Sequence, residues 1–139
     1  MTHTDTLRRF IEAVWNDGRA EAVHDFVAAT YTIHRDPGDP WEGQALSPAE
    51  LEERVRASRA LAPDQRFEIT EALEQGDRVC IAWDWDGTHL GEVGGIAPTG
   101  RRIAMTGLTI YYFDADGRIT GHRQCADRLG VWQQISAGR

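Results

Sequence analysis

The sequence predicts an α+β fold: a curved antiparallel sheet wrapped around N-terminal helices, forming a cone-shaped α+β barrel with an internal pocket. Apolar residues near the N-terminus repeat with the period of a helix, and from Phe67 onward the pattern changes to the alternation of strands. Helices first and then a run of antiparallel strands is an α+β arrangement. A strongly curved sheet around helices leaves a cone-shaped cavity, a natural small-molecule pocket that is apolar with a few polar groups.

Each element follows from local pattern. Leu7, Phe10, Ile11, Val14 and Trp15 fall on one face of a helix that Asn16-Asp17-Gly18 ends. A short second helix is expected from Arg19 to about Ala28, burying Val23, Phe26 and Val27, and then a brief extended piece over Tyr31 to His34. Asp36-Pro37-Gly38-Asp39-Pro40 reads as loop. A third helix starts at Ser47, with Pro48 at its first position and Glu50 at its third, a capping-box pattern. Leu51, Val55, Ser58 and Ala62 mark its less polar face, and Pro63-Asp64 closes it. Phe67 to Leu73, Arg78 to His89, Arg102 to Phe113 and Arg118 to Asp127 read as strands. Gln75-Gly76-Asp77 and Asp114-Ala115-Asp116-Gly117 are hairpin-type turns, and Gly91 to Gly100 is a longer loop.

The bulk numbers set the class. A chain of 139 residues, 41% hydrophobic and 27% charged, is expected to form one domain over 1–139. A formal net charge of −7, with arginines scattered among acidic residues, argues against a nucleic-acid partner, which needs a concentrated basic face. Cys80 and Cys125 have no C-x-x-C spacing and read as reduced thiols. No apolar run is long enough to span a membrane, and Met1 to Phe10 lacks the apolar stretch of a signal peptide, so a cytoplasmic protein is expected.

Several residues carry chemical interest. Asp127 ends an apolar-flanked strand; by position it fits a solvated strand end, or a cap for the segment Leu129 to Ile135, as well as a catalyst. His89 shares strand parity with Trp83 and Trp85, while Asp84 and Asp86 alternate with them toward solvent. His34 and His122 are further candidates for hydrogen bonds to substrate oxygens. No H-x-H or H-x-x-x-H spacing joins the histidines, so no metal site is expected. Arg123 and Asp127 share parity, but at roughly 3.3 Å per residue about 13 Å separates them on an extended strand. Trp15, Tyr31, Trp83, Trp85 and Met105 are candidates either for a pocket wall or for ordinary core. No nucleophile-elbow, Walker or Rossmann motif is present, and no cofactor is expected.

Two segments resemble a known family. Gly87-Thr88-His89-Leu90-Gly91, followed by Gly95-Ile96-Ala97-Pro98-Thr99-Gly100, is similar to the G-T-H-x-G and G-x-x-P-T-G segment of SnoaL-like polyketide cyclases, of the nuclear transport factor 2-like superfamily. The turn Asp114 to Ile119, with Asp127 beyond it, resembles the family's final strand, which delivers an aspartate to the pocket. Tyr31-Thr32-Ile33-His34 resembles its early strand. Arg123 stands where the family usually has Trp.

The resemblance implies a cofactor-independent intramolecular aldol closure of a polyketide-derived substrate, and a homodimer or higher homo-oligomer. Asp127 would be the general acid/base, with a pKa raised by poor solvation. His89, with His34 or His122, would stabilise the enolate oxygen. Arg123 would bind an oxygen-rich group if it reaches the cavity. The same residues leave open an isomerase, a dehydratase, an epoxide hydrolase or a non-catalytic binding module.

Overall fold

In the computed structural model, which describes residues 1–137, the expected helical stripe is present: Leu7, Phe10, Ile11 and Val14 are buried. Helix α1 (His3–Phe10) begins in a capping box between Thr2 and Asp5 and runs into a π-helical turn, Ile11–Asn16. A 3-10 helix, Ala20–Asp25, follows and is shorter than expected. From Val27 the chain is already strand β1 (Val27–Arg35), which buries Val27, Tyr31 and Ile33. Pairing with β6, which begins at Val27 opposite Ile119, overrides the local helical preference of Ala28-Ala29.

Strand β2 (Ala45–Leu46) leads to α2 (Pro48–Leu61), whose capping box joins Ser47 and Glu50 as expected. The remaining strands are β3 (Arg66–Gln75), β4 (Arg78–Thr88), β5 (Arg102–Phe113) and β6 (Ile119–Ala126). Gly76, at φ +58°, sits in the tight β3–β4 turn. The Asp114 carboxylate closes the β5–β6 turn by accepting from Asp116 N and Arg118 N, each at 2.9 Å. Helix α3 (Arg128–Ser136) ends the described chain.

The barrel expectation is overturned, although the α+β class stands. The sheet is open, in the order β2-β1-β6-β5-β4-β3, and it neither closes nor curls strongly. Nor is it wholly antiparallel, because β1 and β6 run parallel. Closure fails because the two edges are finished separately. Strand β2 has only two residues. At the other edge the Asn16 amide takes the place of a neighbouring strand: its Oδ1 accepts from Phe67 N at 2.7 Å and its Nδ2 donates to Phe67 O at 2.9 Å.

The helices lie on the inner face, where Phe10, Val14, Leu51 and Val55 pack with Ile33, Val79, Ile81 and Phe113. Burying this surface, at about 25 cal/mol per Å² of apolar area, is the main stabilising contribution. A smaller cluster, Ile96, Ile103 and Ile135, seats α3 at one end of the sheet. Gly107 sits directly opposite Trp83 in the β4–β5 ladder, and a Cβ there would run into the indole ring. The missing side chain leaves the space that the Trp83 indole occupies over Gly107. No helix among the described residues is long and apolar enough to cross a membrane.

Candidate active site

Between the helices and the inner face of the sheet lies a cavity of about 60 Å³. Phe10, Ile11, Trp15, Phe67 and Ile81 make its apolar wall, and Tyr31, Arg54, His122 and Gln124 make its polar end. Strand geometry explains the polar end. On β6, His122 and Gln124 face inward while Arg123 and Cys125 face out, and β1 beside them turns Tyr31 inward.

At the polar end, the Tyr31 hydroxyl and His122 Nδ1 are 2.5 Å apart. Both side chains are almost wholly buried, at 2% and 5% relative exposure. His122 Nε2 stands 3.8 Å from Asp36 Oδ2, too far for a hydrogen bond, and has no partner among the described residues. Asp36 is fully buried directly after β1. Its Oδ1 accepts from Arg128 at 2.7 Å and its Oδ2 from Gln124 Nε2 at 3.2 Å. Arg54 of α2 lies 3.8 Å from the same carboxylate and is paired with Asp39. Behind Gln124, Thr109 donates to its Oε1 at 2.7 Å and itself accepts from the Trp83 indole at 2.8 Å.

These surroundings fix protonation. Burial alone pushes the Asp36 pKa up, but nearby His122 and Arg128 outweigh it and hold the carboxyl well below its ordinary range. Burial lowers the His122 pKa; Asp36 and Asp39 oppose the shift and Arg54 adds to it. The imidazole is therefore neutral at neutral pH. Burial, with Tyr111 and Asp36 nearby, pushes the Tyr31 hydroxyl well above its ordinary value against the pull of Arg54, so it keeps its proton. The site thus holds a neutral imidazole and a neutral phenol in contact, with an ionised carboxylate 3.8 Å from the imidazole Nε2.

The structure brings four of the residues singled out in the sequence to this cavity: Trp15, Tyr31, Trp83 and His122. The others lie elsewhere. Asp127 is exposed at the N-cap of α3, where its carboxylate accepts from Gly130 N at 2.9 Å. His89 is fully buried at the end of β4, and its Nδ1 accepts from Thr99 N at 3.2 Å and meets Thr99 Oγ1 at 2.9 Å. It ties down the Gly-rich loop and does not line the cavity. His34 is exposed on the outer face, edge-on to Tyr112. Arg123 is exposed opposite Ile110, not directed into the cavity. Trp85 donates to Gln65 Oε1 at 3.2 Å. Met105 lines a separate surface groove of about 300 Å³ with Val131, Trp132 and Arg128.

Asp36, Arg54, Gln124, Thr109 and Arg128 did not stand out in the sequence. One signal was there: Arg54 shares the α2 stripe of Leu51, Val55 and Ser58, and an arginine on an apolar stripe needs a buried partner.

Comparison with known proteins gives the same assignment at three levels. A family model described as SnoaL-like polyketide cyclase matches residues 5–135. The aklanonic acid methyl ester cyclase AcmA of Streptomyces galilaeus is 28% identical over 130 residues, 93% of this chain and 87% of that protein. The cyclase DnrD of Streptomyces peucetius, named for the same compound, is 29% identical over 136 residues, 96% of this chain and 90% of that protein. Among solved structures, a candidate polyketide cyclase from Acidithiobacillus ferrooxidans is 44% identical with a TM-score of 0.92, covering 99% of this chain and 96% of its own. IdmH of Streptomyces antibioticus, also a candidate polyketide cyclase, is 27% identical with a TM-score of 0.82, covering 99% and 100%. The chain belongs to the SnoaL-like polyketide cyclase family and is an enzyme of the cyclase type.

Proposed function

We propose that the chain closes a carbon–carbon ring within one carbonyl-rich, polyketide-derived molecule by an intramolecular aldol reaction, with His122 as base and Tyr31 as acid. The observation that carries this reading is the 2.5 Å contact between Tyr31 Oη and His122 Nδ1, in two side chains that both line the cavity, with the buried Nε2 left without a hydrogen-bond partner among the described residues. When Nδ1–H donates to Tyr31 Oη, Nε2 offers a lone pair and the Tyr31 proton is free for a substrate carbonyl. Nε2 then removes a proton from the carbon next to that carbonyl. The electron pair moves onto the oxygen, and the Tyr31 O–H stabilises the enolate. The Asp36 carboxylate, 3.8 Å from Nε2, stabilises the imidazolium by its charge.

The enolate carbon attacks a second carbonyl of the same molecule, forming one C–C bond. The resulting alkoxide takes the proton back from Nε2, and the product has the composition of the substrate. Holding both carbonyls in one bound molecule supplies much of the acceleration. This reading moves the base from Asp127, which faces outward and caps α3, to a buried group.

Size constrains the pose. Small-molecule pockets run to roughly 300–1,000 Å³, so a cavity of about 60 Å³ accepts only the reacting edge of a polycyclic molecule. The groove of about 300 Å³ beside Trp132 shares Arg128 with the Asp36 cluster and offers room for the remainder.

Aklanonic acid methyl ester, the compound that names the two Streptomyces cyclases, is the first substrate to try. A product of unchanged mass with one new ring is expected, and His122→Asn should reduce kcat by roughly 10²–10⁴-fold. A product differing by one water points instead to dehydration or epoxide opening. Full turnover by His122→Asn overturns the assignment of the base.

A further inference from the structure

The hydrogen-bond chain Trp83–Thr109–Gln124–Asp36 has one permitted direction. The Trp83 indole N–H can only donate, so Thr109 Oγ1 accepts from it at 2.8 Å. Thr109 spends its own proton on Gln124 Oε1, at 2.7 Å. At the far end Asp36, ionised between Arg54 and Arg128, can only accept, and it takes one Gln124 Nε2–H at 3.2 Å. Reversing the amide would set Oε1 against the Asp36 carboxylate, two acceptors with no proton between them. The amide is therefore pinned at both ends, with a fixed donor and a fixed acceptor.

One consequence concerns the cavity. An amide nitrogen carries two hydrogens, and only one is used. Gln124 lines the cavity, and its second N–H has no partner among the described residues. We infer that Gln124 is a specificity-determining residue that presents a fixed N–H donor to a ligand carbonyl oxygen, and that Thr109 and Trp83 are positioning residues that hold it in that sense. The inference rests on the proposed ring closure and assigns Gln124 to the carbonyl that is attacked, leaving Tyr31 for the carbonyl that becomes the enolate. A site that greets each of two carbonyls with its own donor selects dicarbonyl substrates. It discriminates against analogues reduced to an alcohol at the second position, whose oxygen leaves the carbonyl plane and brings an O–H of its own that needs a partner.

The test uses ethyl acetoacetate, a small dicarbonyl, labelled with ¹³C at either carbonyl and bound to the full chain. Infrared difference spectra read the carbonyl stretch, and titration reads affinity. In wild type one labelled carbonyl should absorb at lower frequency than in Thr109→Val. Affinity should fall about 3- to 10-fold in that variant, the size of one lost hydrogen bond. Thr109→Ser, which keeps the hydroxyl, should restore both, a rescue that general loosening of the core does not give. If Thr109→Val does not fold, Gln124→Met must produce the same loss. An unchanged carbonyl frequency in a folded variant of either kind overturns the inference.

A separate readout isolates the proposed chemistry. Exchange of the ligand's α-hydrogen in D₂O reports the base, so His122→Asn should abolish enzyme-dependent exchange while keeping the carbonyl shift. Exchange that persists in His122→Asn sinks the acid–base reading and leaves Gln124 as a donor.

Discussion

Arg128, the first residue of the last helix, reaches back over Pro37 to hold Asp36. Its guanidinium donates to Asp36 Oδ1 at 2.7 Å and to Pro37 O at 3.0 Å, and its stem lies where a side chain on Gly38 would sit. One contact therefore joins the C-terminal helix, the loop after β1 and the buried carboxylate at the polar end of the cavity.

Breaking that contact has a calculable sign. Arg128→Met leaves Asp36 buried with a weakened set of partners, at a cost of roughly 1–3 kcal/mol. That is below the ~3–5 kcal/mol of a fully broken buried pair, because Arg54 and Gln124 remain. The pH dependence follows from the lowered Asp36 pKa. A carboxyl held below its unfolded value of about 3.9 adds stability that is complete above that pH and is lost as pH falls toward the folded value. Urea titrations at several pH values should show this acid loss in wild type and a shallower one in Asp36→Asn. Identical slopes would count against it.

Asp127 separates the two assignments of the base. As an N-cap it is replaceable by Asn, which caps equally well, whereas Asp127→Ala should cost about 0.5–2 kcal/mol. Neither change touches the cavity, so turnover per folded molecule should stay within about twofold in both. A loss of several orders of magnitude in Asp127→Asn would return the chemistry to this residue.

The sequence showed the α2 capping box, both turns and the strand alternation because each depends on neighbours within a few residues. The Asp36 cluster was hidden for the opposite reason. Asp36 sits in a Pro/Gly loop that reads as solvent-exposed turn, and its partners Gln124 and Arg128 lie far along the chain. The misplaced extent of β1 has the same cause, since its start at Val27 pairs with Ile119 of β6, far along the chain. His89 drew attention through its motif, yet its Nδ1 is engaged by Thr99 of that same motif, which accounts for the pair as a loop clasp.

The lowered His122 pKa predicts where the acid limb of the proposed reaction falls. With the neutral imidazole as the proposed base, kcat/KM should be level near neutral pH and fall only on the acid side of the ordinary histidine value of about 6.5. Tyr31 keeps its proton through the alkaline range, so no loss from this group is expected below about pH 10. Asp36→Asn removes a charge that favours the imidazolium and should move the acid limb lower still. A shift in the other direction contradicts the role given to Asp36.

The glycine beneath Trp83 gives the most local test. In Gly107→Ala the new methyl falls on the indole ring, so Trp83 must tilt or the β4–β5 ladder must part. Overpacking of this kind costs about 1–3 kcal/mol. Tilting also draws the indole N–H from Thr109, the start of the chain that orients Gln124, so kcat should fall beyond what the folded fraction explains. Trp83→Phe has a smaller ring and no N–H. Combined with Gly107→Ala it should recover part of the stability but none of the turnover. Two independent sites would add their costs to within about 0.3–0.5 kcal/mol, so strict additivity in denaturant unfolding would show that the methyl and the ring do not meet. Recovery of stability without recovery of kcat would separate the packing role of Trp83 from the donor role of its indole nitrogen.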